Sequence, residues 1–279
     1  MPYITSHDDT QLFYKDWGTG ARTVLFVNGS NIHSDFWESH LVHLADNGLR
    51  TIAYDQRGHG RSDQPGHGFD FDWLADDLAS LVDHLNLRDV TLVGYSNGAG
   101  VVARYLSRHG SSRVAKTILI APTTPCIVRL PDNPDGFDDD YWESLISATI
   151  ADRPTFYRTF VDSFFGKPVS PDVATHMLAM ANGIPLISTI GITRALATTD
   201  FRPDMRSFTM PTLIVQGEKD ATPMELTAVR TANAIPGSTL NVYEGAAHGL
   251  PITDKARLLE DILAFVSAGV RNREAGAMV

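Results

Sequence analysis

The chain has 279 residues, of which 43% are hydrophobic, 20% charged and 9% aromatic, the proportions of an ordinary globular protein without bulk disorder. Lys and Arg number 23 against 33 Asp and Glu, and a net charge of −10 argues against nucleic acid or an anionic membrane as the main partner. A single cysteine, Cys126, excludes an internal disulfide and a cysteine-built metal centre, and neither metal nor cofactor is expected.

In chain order, Gln11–Trp17 and the apolar run Thr23–Val27 read as strands, the second ended by Asn28-Gly29. Trp37, Leu41 and Leu44 share a helical face, with Asp35 as the expected N-cap. Arg50–Tyr54 is a strand. Leu74, Leu78, Leu81, Val82 and Leu85 form a helical stripe, then Val90–Val93 a strand, Ala99–Ser107 a helix and Val114–Ile120 a strand. This alternation predicts a doubly wound, mostly parallel sheet with helices on both faces. From Thr123 to Phe208 the pattern turns helical, with aromatics at Tyr141, Trp142, Phe156, Tyr157, Phe160, Phe164 and Phe165. Alternation resumes at Pro211–Val215, Glu225–Ala234, Thr239–Tyr243 and a helix around Ala256–Val266, and the polar tail from Arg271 is expected to fray. The expected organisation is one α/β core, residues 1–122 and 209–279, with a helical cap, residues 123–208, inserted into it. The first eight residues lack the basic and apolar regions of a signal peptide, and no apolar run approaches the ~20 residues of a membrane span, so a cytoplasmic protein is expected.

Gly94-Tyr95-Ser96-Asn97-Gly98 matches G-x-S-x-G, and it lies between an apolar strand and a helix, the context that gives this short pattern meaning. In such an elbow the serine sits on a strained turn at a helix N-terminus, and the glycines let strand and helix approach closely. A serine hydroxyl needs a base, and the base needs an acid to orient it. Asp220 follows the strand ending at Val215, at the sheet edge where open α/β folds place their sites. Glu218 falls in the intervening turn and is expected to face solvent. His248 lies in a loop of small residues after the strand Thr239–Tyr243, whereas His59, His67 and His84 read as turn or surface residues. The backbone N–H groups of Ser30 and Asn97 are the expected oxyanion donors.

With these residues placed, the chain resembles the α/β-hydrolase superfamily, and within it the cofactor-free haloperoxidase, perhydrolase and arylesterase group. The supporting segments are Phe13–Gly18, Asp55-Gln56-Arg57-Gly58-His59-Gly60-Arg61-Ser62-Asp63, Val90–Ser96, Thr199–Asp204 and Pro211–Gly217. The resemblance implies Ser96 as nucleophile, His248 as general base and Asp220 as orienting acid, in a family that often forms homo-oligomers. Two departures stand out. The family usually carries His-Gly-Trp at the oxyanion loop, often followed by Pro in members noted for peracid chemistry, whereas this chain reads Asn28-Gly29-Ser30-Asn31-Ile32-His33. Asn97 stands where an apolar residue is common. The first points away from halogenation or perhydrolysis as the main role, the second adds a side-chain amide beside the pocket, and Ser30, Asn31, His33 and Asn97 together suggest a polar site unless they bond one another as loop scaffolding.

The expected reaction is cleavage of a small neutral carboxylic ester or lactone through an acyl-enzyme. The alternatives are a carbon–carbon bond hydrolase or pathway lactonase with the same triad, and, from another class, a ligand receptor with a slow vestigial triad. Candidate pocket residues are Asn31, Ile32, His33, Tyr95, Thr123, Phe156, Phe160, Phe164 and Leu250. The three phenylalanines share a helical face, which reads first as core packing and otherwise as an apolar cleft wall. The acidic segment from Asp132 to Glu143 lacks the alternating ligands of a calcium loop and reads as a solvated cap entrance that disfavours anionic substrates.

Overall fold

The computed structural model describes residues 2–268; the tail from Arg271 lies outside them. The chain runs β1 (Tyr3–Thr5), β2 (Gln11–Trp17), β3 (Thr23–Val27), α1 (Glu38–Asp46), β4 (Arg50–Tyr54), α2 (Phe71–His84), β5 (Val90–Tyr95), α3 (Gly98–His109) and β6 (Val114–Ile120). It continues through α4 (Asp139–Phe165), α5 (Pro171–Gly183), α6 (Leu186–Thr198), β7 (Thr212–Gly217), α7 (Ala228–Ala234), β8 (Thr239–Tyr243), α8 (Leu250–Thr253) and α9 (Lys255–Ser267). Eight strands form one sheet in the order β1-β2-β4-β3-β5-β6-β7-β8. β1 pairs antiparallel with β2 and β2 with β4, and β3 through β8 are parallel.

The inner strands are mostly apolar because both faces are covered, and the polar residues Thr51, Thr91, Thr117 and Gln216 are buried with them. On one face Leu25, Val27, Ile52, Leu92, Leu119 and Ile214 pack beneath Phe71, Leu74, Leu78 and Leu81 of α2 and Val101, Val102 and Leu106 of α3. On the other, Val24, Phe26, Ala53, Val93, Ile118 and Val215 pack against Leu41 and Leu44 of α1 and Leu258, Leu259, Ile262 and Val266 of α9. β3 and β5 are neighbours whose following helices, α1 and α3, cover opposite faces. A crevice therefore opens at the carboxyl ends of these two strands. Arg57, fully buried, bonds Asp77 of α2 through Nε at 2.6 Å and Asp8 through Nη1 at 3.0 Å, tying the loop after β4 to the first hairpin.

Two expectations change. Asp35 does not cap α1: Ser34–Trp37 forms a 3-10 turn first, and Asp35 accepts instead from Lys15 and Arg61. His59 is not at the surface: it is fully buried, with Nδ1 3.0 Å from the Arg57 carbonyl.

Between β6 and β7 lie α4, α5 and α6. α4 breaks at Asp152 (φ −157°, ψ 77°), two residues before Pro154, and the Asp152 carboxylate accepts from the Thr155 N–H to restart the helix. The acidic segment before and within α4 is not simply solvated. Asp132 pairs with Arg202, Asp135 with Arg230, and Asp138 with Arg129. Among the described residues no single helix is long and apolar enough to cross a membrane.

Candidate active site

The loops after β3, β5, β7 and β8 converge at the crevice. β5 ends at Tyr95 and α3 begins at Gly98, so Ser96 occupies the turn with φ +55°, a left-handed conformation that a non-glycine residue holds only when its surroundings enforce it. The flanking glycines explain the enforcement. A Cβ on Gly94 would stand 2.7 Å from the Ala99 Cα, and one on Gly98 would stand 2.3 Å from the Val27 carbonyl oxygen. The Ser96 N–H donates to the Ile120 carbonyl at 2.9 Å, which ties the turn to β6.

His248 Nε2 lies 3.0 Å from Ser96 Oγ, and His248 Nδ1 lies 2.7 Å from Asp220 Oδ2. Asp220 also accepts from the Thr222 N–H at 3.0 Å and the Gln216 amide at 3.1 Å, so its carboxylate is fixed from three sides. Glu218 is exposed and accepts from the Gly245 N–H, as expected for a turn residue. Burial alone would lower the His248 imidazole and raise the Asp220 carboxyl. Their mutual attraction outweighs both, so the imidazole sits above its ordinary value and the carboxyl below its own. The Tyr95 hydroxyl donates to the His248 carbonyl at 2.9 Å, and Phe164 meets the imidazole edge-on at 5.7 Å. Gly249 is required here: its N–H donates to the Phe164 carbonyl, and a Cβ would clash with that same oxygen at 2.9 Å.

The loop after β3 passes directly over the nucleophile, since a Cβ on Gly29 would stand 2.8 Å from the Ser96 Cβ. Among the described residues, neither the Ser30 nor the Asn97 N–H donates to a backbone carbonyl. Asn28, where the family usually carries His, is fully buried and accepts from the Trp37 indole at 2.8 Å while donating to the Tyr54 carbonyl. Asn31 has φ +61°, a value closed to the proline that the resemblance led to here, whose ring holds φ near −65°.

A cavity of about 320 Å³ opens above Ser96 and His248. Asn31, Ile32, Tyr95, Phe156, Phe160 and Phe164 line it, as expected. The phenylalanine stripe is therefore a cleft wall: Phe160 remains 41% exposed, which core packing would not leave. Three candidates do not line it. His33 packs beside Asp35 and Gly60. Thr123 is buried behind the elbow, its N–H toward the Ser96 carbonyl at 3.4 Å. Leu250 opens α8 and belongs to the core under the sheet. The Asn97 amide is likewise enclosed, away from the cavity and without a hydrogen-bond partner. Its polarity thus does not reach a ligand space. Sequence reading missed Tyr141, Leu145, Tyr157, Met177 and Thr189 among the lining residues. The aromatic clustering of the helical region signalled Tyr141 and Tyr157; nothing in the sequence pattern signalled Thr189.

A strand–turn–helix serine joined through histidine to a buried carboxylate at the edge of a parallel sheet defines a hydrolase. A family model described as alpha/beta hydrolase fold matches residues 22–184. A non-heme haloperoxidase of Rhodococcus erythropolis is 38% identical over 276 residues, covering 96% of this chain and 100% of that one. A non-heme chloroperoxidase of Kitasatospora aureofaciens is 37% identical over 275 residues, with the same coverage. An esterase from Exiguobacterium antarcticum superposes with a TM-score of 0.92 at 30% identity, over 95% of this chain and 99% of that chain. The chain belongs to the alpha/beta hydrolase family.

Proposed function

We propose that the protein hydrolyses small neutral carboxylic esters, lactones included, through an acyl-enzyme formed on Ser96. The hydrogen-bonded chain from Asp220 through His248 to Ser96, at 2.7 and 3.0 Å, carries this assignment. Ser96 Oγ attacks the ester carbonyl carbon while His248 Nε2 takes its proton; Asp220 holds the Nδ1–H and stabilises the imidazolium. The carbonyl oxygen becomes an oxyanion between the N–H groups of Ser30 and Asn97. The tetrahedral intermediate expels the alkoxide, which leaves as the alcohol with the proton from His248. A water then gives its proton to His248, adds to the acyl carbon and releases the acid, restoring the Ser96 hydroxyl.

The helices α4 to α6 act as the cap that supplies the substrate-facing wall. No Asp, Glu, Lys or Arg side chain lines the cavity among the described residues, which favours an uncharged substrate. Hydrolysis is favoured over peracid formation because the Asn31 backbone departs from the conformation a proline would impose. Ser96→Ala is expected to lower turnover of 4-nitrophenyl butyrate by roughly 10⁶-fold. Wild-type protein is expected to gain the mass of one phosphonyl group on Ser96 after treatment with a fluorophosphonate. Full activity of Ser96→Ala would sink the assignment.

A further inference from the structure

The cavity has two unlike sides. Phe156, Phe160, Val161, Phe164 and Met177 make one side apolar; Asn31, Tyr157, Thr189 and Thr193 give the other a row of polar groups. The polar row is organised. The Thr189 hydroxyl donates to Asn31 Oδ1 at 2.9 Å, and the Thr193 hydroxyl donates to the Thr189 carbonyl at 2.8 Å. With Oδ1 engaged, the Nδ2 of this cavity-lining residue is a donor with no acceptor among the described residues. The Tyr157 hydroxyl lies beside Thr189, shielded from solvent and without a hydrogen bond of good geometry. Burial pushes that phenol up, so it stays protonated and donates. Asn31 follows Ser30 directly, which places this pair of donors next to one edge of the proposed oxyanion site.

We infer that the pocket selects substrates bearing a second neutral oxygen acceptor a few bonds from the scissile carbonyl, received by Asn31 Nδ2 and the Tyr157 hydroxyl. Hydroxy-, keto- and alkoxy-substituted esters belong to this class. The inference rests on the ester-hydrolase reading above and goes beyond it. A plain acyl chain that fills the cavity leaves both donors unpaired, whereas an oxygenated one satisfies them. A site built to bond a polar group discriminates against the analogue that lacks it more sharply than an apolar pocket discriminates by size. The absence of a cation among the lining residues favours a neutral acceptor over a carboxylate. Thr189 is a positioning residue: it touches Asn31 and holds the amide in register.

The test compares kcat/KM for methyl 3-hydroxyhexanoate and methyl hexanoate, each scaled by its alkaline hydrolysis rate. Wild-type protein is expected to prefer the hydroxy ester by about tenfold or more. Asn31→Gly, which keeps the left-handed backbone accessible, and Tyr157→Phe should each lower that ratio about threefold to tenfold, and together bring it near one. Thr189→Val should lower the ratio, and Thr189→Ser should keep it. Equal turnover of the two esters by wild-type protein, or a preference untouched by these variants, overturns the inference and leaves the hydrolase reading standing. No turnover of either ester, with Ser96 unreactive toward a fluorophosphonate, overturns both.

Discussion

The crevice joins two regions built on different principles. Ser96, His248 and Asp220 stand on loops that leave a sheet covered on both faces, and each is held by short backbone contacts: Ser96 by Ile120, His248 by the Tyr95 hydroxyl, Asp220 by Thr222. The apolar cavity wall stands on α4 to α6, where a broken helix leaves Phe160 and Ile150 exposed. The first region is rigid because its strands and helices meet at glycine contacts that admit no other residue. The second owes its shape to side-chain packing across a cavity, so it can vary while the chemistry stays. Under the proposed reaction, the placement of Ser96, His248 and Asp220 is separable from the shape of the cavity wall, and substitutions in the two regions should fail differently.

The largest effect should come from the rigid region. Asp220→Asn keeps the shape but favours the wrong histidine tautomer, and kcat should fall by about 10⁴-fold. The same pairing predicts the pH profile. The base must be neutral to accept a proton, and its attraction to Asp220 raises its affinity for protons. The acid limb of kcat/KM should therefore fall above the ordinary imidazole value of ~6.5, with activity lost as pH drops through it. In Asp220→Asn that limb should move to lower pH; a limb that stays in place would separate the carboxylate from the base.

Next in size is a stability effect. Arg57→Met leaves Asp77 buried without its partner and should cost about 3–5 kcal/mol, read as a lower denaturant midpoint. The smallest effect belongs to the cap. Phe160→Ala should change stability by no more than about 0.5 kcal/mol, because the ring is 41% exposed. It should raise KM for medium-chain esters by about threefold to tenfold with kcat held, the signature of binding lost equally from ground and transition states. A stability loss on the scale of Arg57→Met would show that the cap and the sheet are one packing unit, and the comparison would fail.

The same division governs how much could be read without coordinates. β2, β3, β4, β6 and β8 fall where the pattern placed them; turn-forming residues mark the ends of three, Gly18 after β2, Asn28-Gly29 after β3 and Glu244-Gly245 after β8. β1 escaped notice because three residues, two of them exposed, carry no periodicity. Ser96, Asp220 and His248 were legible because each follows a strand directly, and a parallel sheet sends all such loops to one edge. His33 and Thr123 were misplaced for a related reason: being near the nucleophile in sequence or at a strand end does not say which way a side chain turns. Asn97 was read as polar toward the pocket, whereas the tight elbow turns its side chain into the interior. The acidic segment looked unpaired because two of its arginines, Arg202 and Arg230, lie 70 and 95 positions from the aspartates they meet.

By itself the sequence determined the sheet, the elbow and the order of the three reacting residues. These depend on local periodicity, on glycines that permit close approach, and on a strand polarity that leaves one edge for the loops. Only the tertiary structure decided which residues line the cavity. The hydrogen bond from Thr189 to Asn31 spans 158 positions, and the lining of the cavity depends on how three helices settle over the sheet. Contacts at that separation are set by packing, for which a linear pattern carries no period.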